Sequence, residues 1–135
     1  MIKLSKEKPY EDACKILGLR PVANYKSYKL TDETRNFIKL ETVAKALNEG
    51  WKPTTIDPKE VRYYVWGWNY TDNRKPSGLL DVLSHYGLGY ASATVGTSLE
   101  FKDEDTAKEF ARMCKPMIVK YLFGRDDHEN FKFDF

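Results

Sequence analysis

Residues 63–70 read Tyr63-Tyr64-Val65-Trp66-Gly67-Trp68-Asn69-Tyr70. Aromatic and β-branched residues favour the pleated, half-buried surface of a strand. Side chains of a strand alternate between its two faces. Tyr64, Trp66, Trp68 and Tyr70 therefore share one face, and Tyr63, Val65, Gly67 and Asn69 the other. A row of same-face aromatics needs either a packed layer over it or a ligand flat enough to stack on it. Whatever fold the chain adopts is built around this strand.

The neighbouring segments say what surrounds it. Pro9 suits a first helical turn, where its missing N–H costs nothing. Tyr10, Ala13, Ile16 and Leu17 then give a short apolar stripe ending at Gly18, so a helix is expected over 9–17. Residues 19–30 are mixed, with Tyr25, Tyr28 and Leu30 in a loop or short strand. Thr31 is a suitable helix N-cap, and Asp32 and Glu33 favour the positive end of the helix dipole. Phe37, Leu40, Val43, Ala44 and Leu47 carry that helix to Gly50. Strands are expected at about 61–70, 79–83, 86–93 and 98–101. A last helix starts near Asp103 and runs along Ala107, Phe110, Ala111, Cys114, Ile118, Tyr121 and Leu122 to Gly124. Pro116 removes one hydrogen bond inside it, so a kink is expected near Lys115.

Strands run together, flanked by helices and joined by connections too short for parallel crossovers, which argues for an α+β fold. The expectation is a single domain over 1–124, an antiparallel sheet of about three or four strands with helices on one face. An acidic, Phe-containing tail follows over 125–135. The aromatic row is then read as the wall that the last helix covers, around Phe110 and Tyr121.

At 135 residues the chain is long enough to bury a core without disulfides or a metal. Cys14 and Cys114 are read as buried, reduced thiols. No segment has the apolar length of a signal peptide or a membrane span, so a cytoplasmic protein without membrane contact is expected. The net charge of +2 is too small to argue for nucleic acid by itself.

No residue pattern fixes a reaction. Asp81, Ser84 and His85 invite a triad reading, but no nucleophile elbow accompanies them. A Cys114–His85 pair would place its thiol on an apolar helix stripe, where thiols are inert. Asp126, Asp127, His128 and Glu129 are consecutive donors on a tail, not ligands converging from fixed positions. Gly87-Leu88-Gly89 lacks the Lys-Ser/Thr and helix of a phosphate loop. The expectation is no catalytic residue, no metal and no cofactor.

Three places remain where binding could sit. Tyr63, Tyr64, Trp66, Trp68 and Tyr70, with the cations Arg62, Arg74 and Lys75, could stack and neutralise single-stranded nucleic acid. The same rings could hold a nucleotide signal of a bacterial defence system. Phe131, Phe133 and Phe135 alternate along the tail, which could pair with a sheet edge, its own or a partner's.

Three segments carry a family likeness: Lys45-Ala46-Leu47-Asn48-Glu49-Gly50-Trp51-Lys52-Pro53, Tyr63-Tyr64-Val65-Trp66, and Val95-Gly96-Thr97-Ser98-Leu99-Glu100-Phe101-Lys102 leading into Thr106-Ala107. Over roughly residues 8–123 the chain resembles a family of small bacteriophage and prophage proteins of anaerobic gut-type bacteria. It departs from that pattern at Glu100, where Cys is common, and at Thr97-Ser98, where Ser-Arg is common. The resemblance implies a phage-linked protein and supplies no activity or catalytic residue. The functional expectation is a non-enzymatic binding or assembly protein acting through protein–protein contacts or self-association. The alternatives are a single-stranded nucleic-acid binder and an inhibitor that sequesters a defence nucleotide.

Overall fold

Capping chemistry sets the helices. In the computed structural model, which describes residues 2–52, 60–68, 78–86 and 97–135 (without the side chains of Trp68, His85, Tyr86 and Thr97), α1 spans Pro9–Leu17. Gly18 ends it with φ +68°, and the Gly18 and Leu19 amides donate to the carbonyls of Lys15 and Cys14. Helix α2 spans Asp32–Leu47, and the Thr34 amide donates to Thr31 Oγ1 at 3.1 Å. Helix α3 spans Glu104–Phe123, with the Thr106 amide donating to Asp103 Oδ1 at 2.7 Å. The expected kink is present, at Cys114 (φ −114°, ψ 19°), two residues before Pro116. A proline disfavours helical geometry in the residue before it and crowds the preceding turn, so the chain yields just upstream. Asn36 of α2 spans the helix pair there, donating to the Met117 carbonyl at 2.9 Å.

Strand β1 (Val61–Trp68) pairs antiparallel with β2 (Leu79–Tyr86), from Val61 opposite Tyr86 to Trp68 opposite Leu79. β3, only Lys132–Phe133, joins the outer edge of β2 in parallel, opposite Leu79 and Leu80. The sheet is therefore mixed, not purely antiparallel as expected, because the tail after α3 returns alongside β2 in the same direction. The segment expected as a strand at 98–101 is a 3-10 turn, Thr97–Leu99, followed by a single bridge. Phe101 and Tyr63 exchange both backbone hydrogen bonds, at 2.9 and 2.8 Å. One such pair cannot build a ladder, and Asp103 opens the helix two residues later. Of the strand expected at 86–93, residues 87–93 lie outside the described residues.

The expected facing of β1 is corrected for Tyr64 and Trp66, the members of the aromatic row whose side chains are described. The last helix lies over the face that carries Val65, which shares an apolar hollow with Leu40, Leu99, Phe110, Ile118, Tyr121 and Leu122. Gly67 lies on the same face. A Cβ built there would stand 3.0 Å from the Phe123 ring and 2.7 Å from Leu80 Cδ2. A larger residue would collide with Leu80 and the Leu79 carbonyl of β2, at 2.7 and 2.8 Å, as well as with Phe123 of α3, so glycine is what permits the close approach. Across the ladder, Leu80 is buried with Val119 of α3 and with Phe131. By alternation Arg62, Tyr64 and Trp66 point to the opposite face of the sheet. The sequence could not decide between the faces, because both carry enough apolar surface to be buried.

The main core joins Tyr10, Ala13 and Cys14 of α1, Leu40, Val43, Ala44 and Leu47 of α2, and Ala107, Phe110, Ala111 and Cys114 of α3 to Tyr64, Val65 and Phe101. Leu80, Val119 and Phe131 form a second, smaller cluster. The tail is thus part of the fold: Phe131 is fully buried and stacks on Phe123 with ring centres 5.2 Å apart.

Candidate functional surface

Residues 19–30, read from sequence as a loop or short strand, are tied to both flanking helices by side-chain hydrogen bonds. Helix α1 presents Tyr10, whose hydroxyl accepts the Ala23 amide at 3.1 Å, and Glu11, which accepts from Asn24 Nδ2 at 2.8 Å. Arg35, in the first turns of α2, donates to the carbonyls of Ala23, Tyr25 and Tyr28 at 2.8, 3.2 and 2.5 Å. A guanidinium offers five donors in a rigid fork, so one side chain can hold three carbonyls of irregular chain. The 3-10 turn Val22–Asn24 and the stacked Tyr25–Tyr28 pair, with centroids 5.9 Å apart, complete the loop.

This anchored loop and the end of α1 carry the most exposed large apolar side chains described: Ile16 at 47%, Leu19 at 49% and Tyr28 at 47%. Lys15, Arg20, Lys26 and Lys29 are exposed among them. Between Asp12 and Asp32 there is no carboxylate side chain at all. Acidic side chains flank the segment in sequence: Glu11, bonded to Asn24, Asp12, which feels the charge of Lys15, and Asp32 and Glu33 at the start of α2. Exposed apolar and tyrosine side chains held on a rigid frame resemble a protein contact surface more than a catalytic cleft, and lysines around them suit its polar rim. The carboxylate gap was the available sequence signal for this surface. Arg35 gave none, since an arginine in a helix's first turns is ordinarily a solvated charge.

The residues singled out from sequence are scattered over other places. Arg62 and Glu100 are both fully buried, with Arg62 Nη1 3.5 Å from Glu100 Oε1 and Arg62 Nε 3.3 Å from Glu60 Oε1. Tyr64, 7% exposed, lies near this pair, and burial followed by the Glu100 charge pushes its hydroxyl pKa up. Asn48, at the end of α2, donates to the Glu100 carbonyl at 3.0 Å. Arg62 is therefore a buried structural cation on the far face of the sheet. Tyr63 and Trp66 are half-buried and pack on the core. Tyr70, Arg74 and Lys75 lie outside the described residues, as does the side chain of Trp68.

Phe131, Phe133 and Phe135 turn inward onto their own chain. Phe133 stacks on Phe135 at 5.0 Å and receives Lys115 Nζ at 5.4 Å from its ring centre. Arg112 and Lys108 of α3 stand 5.2 and 5.6 Å from the Phe135 ring. Such contacts contribute about 0.5–1 kcal/mol each where exposed. Of the two edges considered for the tail, it takes its own.

Among the described residues no reactive group stands out. Burial pushes the thiols of Cys14 and Cys114 up, Cys114 strongly, and both are free. Asp81 and Ser84 project from opposite faces of β2, so they cannot converge on one nucleophile. Asp81 Oδ1 instead accepts the Val82 amide at 2.8 Å. In the tail, hydrogen bonds from Arg125 and then Asn130 hold the Asp127 carboxyl well below the ordinary carboxylate range. Among the described residues no three His, Cys, Asp or Glu side chains are placed to hold a metal ion, and no helix is long and apolar enough to cross a membrane.

The chain matches no family model, no curated protein and no solved structure.

Proposed function

We propose that the chain is a non-enzymatic binding or assembly protein, working through protein–protein contacts at the end of α1 and the Arg35-anchored loop, in the phage-linked setting its sequence resemblance implies. The observation that carries this reading is the exposure of Ile16, Leu19 and Tyr28 together on a preorganised frame. Ordering a loop on binding costs affinity, and a loop already fixed at Tyr10, Glu11 and Arg35 avoids that cost. Large apolar side chains left half in water gain from being covered, at roughly 25 cal/mol per Å² of apolar surface. The stacking reading has less support, because the burial of Tyr64 removes one of the four rings it needs. The test is affinity capture from host cells with the tagged wild type and with Leu19→Asp/Tyr28→Ala. A partner retained by the wild type and lost with the variant supports the surface. Equal capture by both, or none by either, would sink it.

A further inference from the structure

We infer that residues 125–135 form an exchangeable strap, and that the slot this strap fills on its own molecule also takes the strap of a second copy. The site uses none of the residues of the surface at α1 and does not rest on that reading. The strap's contacts fall into two sets. One set is internal and travels with it. Asp127 accepts from Arg125 Nε at 2.8 Å and from Asn130 Nδ2 at 3.0 Å, and the Phe131 amide donates to the His128 carbonyl at 3.0 Å. Arg125 covers the Phe131 ring at 4.8 Å, and Phe133 stacks on Phe135. The strap therefore holds much of its shape by itself, as a preorganised ligand does. The other set joins it to the body. Phe131 is buried with Leu80 and Val119 against Phe123, and the Lys132 and Asp134 amides donate to the Gly78 and Leu80 carbonyls at 2.5 and 2.7 Å. Lys115 and Arg112 of α3 meet the Phe133 and Phe135 rings. This is strand addition: backbone bonds to a sheet edge, with a side chain taken into an apolar pocket.

The body's half of the slot belongs to β2 and α3, which pack on each other without the strap's help. The joint between the two halves is Gly124, exposed at the end of α3, in the left-handed region, with open space where a Cβ would stand. A glycine there can turn at little steric cost. Opening the strap brings the Phe131 ring, Leu80 and Val119 into water, which is unfavourable until they are covered again. The strap of a second copy restores each body contact seen within one molecule, because slot and strap are the same two structures. Only the path of the chain near Gly124 differs. When each copy gives its strap to the other, the contact is reciprocal and closes as a two-fold dimer. A tethered strap has an effective concentration of roughly millimolar, so dilute protein keeps its own strap and concentrated protein exchanges.

Two full-chain variants test this. Phe131→Ala has a weakened strap and an intact slot. Gly78→Ala has an intact strap and a blocked slot, since its Cβ would collide with the Asn130 carbonyl. Circular dichroism checks that both keep their helices. By sedimentation each variant alone stays monomeric, while an equimolar mixture forms a heterodimer in which the Phe131→Ala slot holds the Gly78→Ala strap. A labelled synthetic peptide of residues 125–135 binds the full-chain Phe131→Ala protein about tenfold or more tighter than the wild type, whose own strap competes. The same peptide carrying Phe131→Ala does not bind. A mixture of folded variants that stays monomeric overturns the inference, and so does a peptide that binds the wild type and Phe131→Ala equally or binds neither. Should Gly78→Ala fail to fold, the peptide measurement decides alone. A Phe131→Ala protein that leaves the peptide unbound but captures a host protein also overturns it, assigning the slot to a foreign segment.

Discussion

The buried pair Arg62–Glu100 allows a sharp energetic test. At 3.5 Å and an effective dielectric constant of about 20, the attraction is on the order of 5 kcal/mol. Removing each ion from water costs several kcal/mol, so the intact pair contributes little net stability. The single variants are another matter. Arg62→Met leaves the Glu100 carboxylate buried without that cation, and Glu100→Leu leaves the guanidinium with Glu60, 19% exposed, at 3.3 Å. Breaking a buried pair from one side costs about 3–5 kcal/mol, a large share of a domain's 5–15 kcal/mol. In a chain of this length that is a fall of roughly 10–18 °C in Tm. The double variant Arg62→Met/Glu100→Leu removes both charges and fills similar volume. It recovers at least half of the larger single loss. The assay is urea denaturation of the four proteins, combined as a double-mutant cycle. A double variant no more stable than the worse single one would refute the reasoning.

Three further outcomes follow from the packing. Gly78→Ala costs about 2–4 kcal/mol in chemical denaturation, because Gly78 has φ +86° and its Cβ would collide with the Asn130 carbonyl; an unchanged midpoint contradicts the tail docking. The thiols of Cys14 and Cys114, buried and pushed up, do not react with a thiol reagent in the native protein and react together on unfolding; prompt native labelling of either counts against the core. Acid destabilises the fold. The Asp127 carboxyl is held low by Arg125 and Asn130, and that of Asp12 by the Ser5 amide. Asp103 is also low, since its bonds to Thr106 outweigh the upward push of partial burial. Depressed carboxyls contribute stability above their unfolded value and lose it as pH falls through the folded one. The urea midpoint therefore declines as pH drops below about 4. A midpoint constant down to about pH 2 would remove these contacts from the account.

The helices were legible because their signals are local. Thr31, Asp103, Gly18 and Gly124 each mark an end within one turn of where it falls, and Pro116 displaces the chain two residues upstream. The β1–β2 pair was legible as strands but not in its facing. Tyr64 and Val65 are both buried, so alternation alone could not name the helix side; the space opened by Gly67 under Phe123 decides it. The parallel β3 was beyond sequence reasoning, since two residues carry no periodicity. The candidate surface was the least legible part. Its exposed groups lie in a segment without regular structure, and Arg35, which organises them, is separated from Tyr25 and Tyr28 in sequence.

The short parallel strand has a consequence for how the molecule assembles. The β1–β2 ladder and the α1–α2 contact join neighbours in the chain, whereas Lys132 and Phe133 reach Leu79 and Leu80 only after the whole of α3 intervenes. Closing so long a loop loses entropy before any contact repays it, so such pairings form late. Phe131 then has no burial place until α3 has settled against β2 and brought Val119 beside Leu80. The tail is then expected to dock last in folding and to open first, which hydrogen exchange at the Asp134 amide, bonded to the Leu80 carbonyl, would report.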